Sequence, residues 1–478
     1  MPISIPTQTT TTKKTIEDKH PEYWKRVTQW ERCRDFLAGT DALIDHDTRM
    51  AGAEGSYIER LSERQSLTEF KAYIRRALYD NTVKRIRNSL IGLIFSKDPI
   101  IEIPAGISYF DNDADLIETP LDEFCEAVVS EVMSVGRVGV LVDRPPSAPG
   151  VSRAETQAAG VRPYFALYKA ETIINWKMER VNNRWMVTRV VLDEGNDTFR
   201  ELTLDSAGYG VTMWTKQRDK DGKPTGEYTQ SGIVYPVLNG APIKAIPFYF
   251  FGPQSGSVET VEPPLLDIVN IAKSHYQSSA DLEHARFACS VPTPYFLGFS
   301  SQEVEDLSLG GLNGIHATSS DAKVGYLEYT GQGTEPLERA LDQKYAMMAR
   351  HSIDMLADRG QAEAVGTVKM KVSVQTATLA DMARSVSRLL SQALTFAGQW
   401  AGISQEAIVK LNTEYSTEGI DPQEVTALMQ GVIQGTIPIL DFIRRLRKVG
   451  LIDADRTDEQ VIGDLALSAE RDIGTLED

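Results

Sequence analysis

Apolar residues at Leu379, Met382, Ala383, Val386, Leu389, Leu390, Ala393, Leu394, Ala397 and Trp400 recur at three- and four-residue steps, the mark of a helix with one buried face. At about 1.5 Å per residue a helix over 376–402 would be roughly 40 Å long, enough to cross a small domain. Upstream, Leu337, Leu341, Tyr345, Met348, Ser352 and Met355 draw a narrower stripe, with Lys344, Arg350, Asp354 and Asp358 on other faces. A third helix is predicted over LLDIVNIAKSHYQSSADLEHARF after Pro263-Pro264, ended by Pro292 and Pro294. Between the second and third of these rods, PYFLGF, GIHATS and KVGYLEYT read as strands, and SSQEVEDLSLGG as a short helix capped by Ser301.

The rest of the chain divides by period. Up to about Lys19 a run of threonines has no apolar period and reads as a disordered or partner-ordered arm. From Pro21 the pattern is helical, with Tyr23, Trp24, Val27, Trp30 and Phe36 on an aromatic face. Two helices follow between Leu67 and Phe95, the second started by Asn81-Thr82 and closed by Lys97-Asp98-Pro99. Another runs from Pro120 to Val135 with Leu121, Phe124, Val128, Val129 and Val132 inward. GRVGVLVDRPP is a strand stopping at Asp143, and its glycines precede neither a Gly-Lys-Ser/Thr ending nor a helix, so they make no phosphate loop. From Arg162 to Phe248 apolar and polar residues alternate between Asn-Asn, Gly-Asn, Asp-Gly and Asn-Gly turns, predicting an antiparallel sheet closed by IPFYFFG. RGQAEAVGTVKMK, 359–371, is too apolar for a linker and too irregular for a helix. Beyond Trp400, SQEAIVKLNTEYS, DPQEVTALMQGVIQ and the remainder are predicted helical.

The 478 residues are 42% apolar and carry a net charge of −17. That length predicts two to four packed units. The three cysteines, Cys33, Cys125 and Cys289, are too far apart for metal or redox pairs. With no signal-like start and no membrane-length apolar run, the chain reads as soluble and intracellular, in a reducing compartment. Acidity opposes tight binding of nucleic acid over a large surface, because phosphate affinity comes from lysine and arginine displacing counterions. It suits a wall past which a duplex slides, although an acidic surface also simply keeps proteins soluble. The basic cluster Arg75, Arg76, Lys84, Arg85 and Arg87 is expected to pair with neighbouring carboxylates.

No catalytic constellation stands out. The six histidines form no HExxH or HxH arrangement. His275 and His284 are nine residues apart and so face different ways on a helix. Asp111, Asp113 and Asp115 sit in a polar turn lacking the glycine and distal glutamate of a calcium loop. No cofactor or metal and no enzymatic activity are expected.

Several separated words carry a likeness: FKAYIRRALYDNTVKRIRNSLIGLIFSKDP, VGRVGVLVDRPP, KSHYQSSADLEHARFACSVPTPYFLGF and TATLADMARSVSRLLSQALTFAGQWAG. In this order the chain resembles the portal proteins, or head-to-tail connectors, of tailed bacteriophages, in a group long labelled only as a domain of unknown function, over about 21–451.

The resemblance implies an α+β, predominantly helical fold: an arm at 1–21, a wing of helices and antiparallel sheet at 22–262, and a first stem helix at 263–288. It continues with a small β-rich clip at 289–335, a second stem helix at 336–358, a tunnel loop at 359–375, a wing-crossing helix at 376–403 and a helical crown and tail at 404–478. It implies a ring, usually a dodecamer, at one capsid vertex of the virion, assembled in the host cytoplasm. Double-stranded DNA would pass through it without sequence readout during packaging and ejection. Partners would be the terminase large subunit, a head-tail adaptor and the major capsid and scaffolding proteins, with no membrane. Lys344, Arg350, Arg359, Lys369 and Lys371 would face the DNA channel, and Glu303, Glu305, Asp306, Asp321 and Lys323 the clip's partners. A competing reading is a head-completion or scaffold binding protein without a channel; an enzyme is the third.

Overall fold

The first helix begins where its unpaired N–H groups find an acceptor. α1 (Pro21–Ala38) has proline in its first turn, and His20 Nδ1 accepts from the Glu22 N–H at 3.2 Å, supplying one of the bonds that a helix start lacks. Tyr23, Trp30, Cys33, Phe36 and Leu37 are buried, whereas Trp24 is 61% exposed. One residue turns the chain by about 100° on a helix, so Trp24 leaves the seam on which the aromatic pattern places it. α2 (Thr40–Met50), α3 (Leu67–Ile74), α4 (Thr82–Ile94) and α5 (Leu121–Val135) complete a helical layer. Ser66 and Glu69 form a capping box on α3, and Asn81 Oδ1 accepts from the Lys84 N–H at 3.1 Å on α4.

This computed structural model describes residues 15–145, 161–219, 222–254, 256, 258–290, 293–300, 319–327, 334–356 and 377–413, with 415, 438 and 440 singly. The chain divides into two units, Met1–Thr413 and Glu414–Asp478, and the described strands and multi-residue helices lie in the first.

The alternating run expected to make one sheet makes two. A five-stranded antiparallel meander contains β4 (Ile173–Val181), β5 (Arg184–Gly195), β6 (Thr198–Asp205), β7 (Gly208–Arg218) and β8 (Pro224–Gln230) in chain order. The other has β2 (Val138–Asp143) between β3 (Tyr164–Lys169) and β11 (Phe248–Phe251). YFALY and IPFYFFG therefore pair with the strand after α5, not with the meander. Alternation marks a strand but carries no address for its partner. β2 is buried on both faces, and a Cβ at Gly139 would run into the Phe248 ring. β9 (Val237–Leu238) and β10 (Ala241–Pro242) form a short ribbon.

α8 (Ala377–Trp400) lies across this body, touching α4, α5, β2 and β11. All ten apolar positions that predicted it are buried. After Gly402, whose φ of +84° ends the helix, the predicted helix of SQEAIVKLNTEYS is instead a turn and strand. β14 (Ile408–Lys410) pairs antiparallel with β1 (Ile100–Glu102). Two serines of α8 explain this: the Val409 N–H donates to Ser391 Oγ at 2.8 Å and the Leu411 N–H to Ser387 Oγ at 3.0 Å. Those bonds and the β1 edge satisfy backbone groups that a helix would have paired internally. The helices expected later in the crown lie outside the described residues. Cys33 and Cys125 are buried, and burial pushes both thiols up to about 12.

Candidate functional site: a helical hairpin and its tip

Two long helices build one hairpin from the base upward. α6 (Leu266–Ser290) and α7 (Thr334–Leu356) pack along each other, and α6 also packs on α1, α3 and α4. Its lower half is buried through Leu266, Val269, Ala272, Tyr276, Ala280 and Leu282. Polar bonds fasten it there: Gln277 Nε2 donates to the Tyr57 carbonyl at 2.8 Å, the Leu78 N–H to Ser279 Oγ at 2.9 Å, and Tyr73 Oη to Asp281 Oδ1 at 2.5 Å. Past Leu282 burial fades. Phe287 is 45% exposed under the Arg76 guanidinium, 3.8 Å from the ring centre, and Arg286 bridges Glu283 at 2.7 Å and Glu338 at 2.9 Å.

The seam of α7 differs from the stripe that its sequence suggested. Met348 is buried, and Leu337, Leu341, Lys344 and His351 are half-buried, while Tyr345 is exposed. Lys344 Nζ donates to the Ser274 carbonyl at 2.9 Å and to Ser278 Oγ at 2.5 Å. The lysine therefore sits between the two helices rather than on another face. Burial lowers its pKa below the ordinary lysine value, with Asp281 opposing. A step of 341 to 344 fits a helix as well as 341 to 345, and the partner helix decides between them.

At the far end, β12 (Thr293–Leu297) pairs antiparallel with β13 (Lys323–Leu327), and the Tyr295 ring lies over Gly325. Leu297, Val324 and Tyr326 are exposed. Among the described residues the ribbon has no third strand, and two strands alone are marginal in water, so this tip has apolar surface to share.

Of the positions singled out for charge, Arg350, Asp321 and Lys323 are exposed, on α7 and at the start of β13. Arg359, Lys369, Lys371, Glu303, Glu305 and Asp306 lie outside the described residues. In the basic cluster, Arg85 makes the expected ion pair, Nη1 to Asp80 Oδ1 at 2.6 Å. Arg76 covers a ring instead, and Arg87 donates to Asn88 and Ser134. His275 is half-buried, which lowers its pKa, with Lys344 adding to the shift and Asp80 opposing it. His284 stands edge-on to Tyr73 at 5.4 Å. Asp113 pairs with Arg162, and Asp115 Oδ1 accepts from the Ile117 and Thr119 N–H groups. Among the described residues no three histidines, cysteines or carboxylates are grouped to hold a metal ion, and no helix is long and apolar enough to cross a membrane. No local pattern names the Ser274 carbonyl and the Ser278 hydroxyl as acceptors; the signal that points to them is Lys344 standing at a heptad step between Leu337 and His351.

A family model described as "Domain of unknown function (DUF4055)" matches residues 264–401, the stretch from this hairpin to the end of α8. No curated protein matches. Among solved structures, the chain is similar to one titled "Virion of native gene transfer agent (GTA) particle", with 10% identity, a TM-score of 0.35 and coverage of 82% of this chain and 94% of that one. Another, "Neck of empty GTA particle computed with C6 symmetry", has 10% identity, a TM-score of 0.36 and coverage of 79% and 92%. Likeness at this distance does not assign a role.

Proposed function

We propose that this chain is a phage portal subunit, a non-catalytic ring-former at a capsid vertex whose α6–α7 hairpins surround a passage for double-stranded DNA. The observation that carries the reading is the hairpin itself. α6 is rooted in the body as far as Leu282, then continues with Phe287 45% exposed, its Arg286 paired to Glu338 of α7, and at its end a ribbon whose Leu297, Val324 and Tyr326 are exposed. Apolar side chains on such a rod are stabilised by neighbours of the same kind, at roughly 25 cal/mol for each Å² removed from water. The element order, rooted helix, β tip, returning helix and long crossing helix, agrees with the order of stem, clip, stem and wing-crossing helix that the resemblance implies, and supports that reading. In this reading the ribbon meets the terminase and later the adaptor through Asp321 and Lys323. Arg350, with Arg359, Lys369 and Lys371, repeats around the axis as a cationic collar that touches phosphates without reading bases.

Native mass spectrometry of the purified protein and end-on electron micrographs test this. A closed ring with a hole about 20 Å across or wider, the scale of B-DNA, is the expected result. Persistent monomers, or a ring sealed at its centre, would refute it.

A further inference from the structure

Two surface features away from the hairpin have opposite character. At the β4–β5 turn, Asn182 and Asn183 take φ values of 46° and 67°, as a tight hairpin requires. Beside the turn Trp185 is 70% exposed and Met178 39%. Arg180 pairs with Trp185 across the ladder and donates to Asn183 Oδ1, and Arg184 is exposed with no ion pair among the described residues. Lys177 and Glu179 neutralise each other at 2.6 Å. The tip thus shows a bare indole with the Arg180 guanidinium on its own face of the ladder and Arg184, one residue earlier, on the other face, neither with a carboxylate partner among the described residues, in a chain of net charge −17.

The loop before α5 is the converse. Leu116 and Glu118 have φ of 68° and 67°, a region that a leucine adopts only under constraint. The constraint is visible: Asp113 Oδ1 accepts from the Glu118 N–H at 3.1 Å and Asp115 Oδ1 from the Ile117 N–H at 3.1 Å. The loop holds Ile117 78% exposed. Around it Asp111, Glu118, Asp122 and Glu123 are exposed, and their carboxylates have no ion pair among the described residues.

We infer that these are the two halves of one contact between copies: the Trp185 tip of one chain seats on the Ile117 loop of the next. This rests on the ring reading above and names one contact between its subunits. Each half has an apolar centre with a charged rim of opposite sign. Arginine and tryptophan concentrate binding energy at such centres, and complementary rims steer the approach. Because the two patches differ, the contact is head-to-tail, the kind that closes into a ring when its rotation divides the circle.

The test is a charge exchange, followed by native mass spectrometry, with circular dichroism to verify that each variant is folded. Arg180→Glu with Arg184→Glu, and separately Glu118→Arg with Asp122→Arg and Glu123→Arg, should each lower the ring population about tenfold or more, and combining them in one chain should restore it. Trp185→Ser should weaken the rings without altering the spectrum. Rings indifferent to both reversals, or a folded combined variant that does not recover, would overturn the contact while leaving the ring reading standing. Rings unchanged by the arginine reversal, with loss of binding to a short labelled DNA duplex, would overturn it in favour of a nucleic-acid contact. A wild-type chain that never assembles would remove the ring reading and this contact together.

Discussion

Lys344 Nζ reaches across the hairpin seam to the carbonyl oxygen of Ser274 at 2.9 Å. That carbonyl belongs to a helix interior and already has an intrahelical donor available, so the ammonium takes its second lone pair. With Ser278 Oγ as another acceptor, the lysine ties α7 to α6 at one height. An apolar side chain would not fix the sliding of two rods so closely, because apolar contact is non-directional.

Removing that tie should loosen the hairpin. Lys344→Ala is expected to lower the unfolding free energy by about 1.5–3 kcal/mol, the usual value of a hydrogen bond to a charged group. Denaturant titration measures it, and an unchanged midpoint would show that the bonds contribute nothing net.

Arg350 offers the contrast. Arg350→Ala, at an exposed position, should leave stability within about 0.5 kcal/mol. If the collar reading holds, it and the pair Lys369→Ala with Lys371→Ala leave ring formation intact but lower retention of DNA in assembled particles. Retention at wild-type level would remove these side chains from the channel.

β14 depends on two hydroxyls. Ser387→Ala with Ser391→Ala strands the Leu411 and Val409 N–H groups, at a cost of about 1–3 kcal/mol for each unsatisfied donor. Faster amide hydrogen exchange at Val409 and Leu411 than in the wild type is the expected readout; equal protection would mean that the β1 ladder alone holds the strand.

His20 makes the start of α1 sensitive to pH. Burial lowers its pKa from 6.5, with Glu22 opposing and Arg137 assisting, and Nδ1 can accept the Glu22 N–H only when unprotonated. The folded value lies below the unfolded one, so stability is intact above 6.5 and declines as pH falls through the depressed value. His20→Asn keeps a capping acceptor that does not titrate. Its stability should fall less than that of the wild type between about pH 7.5 and about pH 5, and parallel losses would assign the acid sensitivity to other groups.

Gly139 tests the central strand. Any side chain there meets the Phe248 ring and Ile173, so Gly139→Val should cost about 1–3 kcal/mol or more as an overpacked core. Thermal unfolding would show it, and an unchanged midpoint would mean that Phe248 moves aside freely.

Much of this was legible in the chain. The ten positions of α8 and the inward face of α5 are buried as their spacing requires, because a period of three and four residues has one structural meaning when sustained over several turns. Asn81 caps α4 where the sequence placed a start. The candidate site was legible as two rods and a β tip. The identity of the seam was not, since Lys344 and Tyr345 are both compatible with a helical stripe.

What the amino-acid sequence alone determined is local: the rods whose apolar period is sustained over several turns, the strands bounded by turn signals, the start of α4, and that the chain is acidic. What only tertiary structure decided is pairing. β3 left the meander for β2, EAIVKL became a strand against β1, Lys344 turned inward, and Trp185 and Ile117 stayed in solvent. The reason is that periodicity reports the shape of one segment, whereas a hydrogen-bond partner or a covering surface is supplied by residues far away in the chain, whose arrival no local pattern encodes.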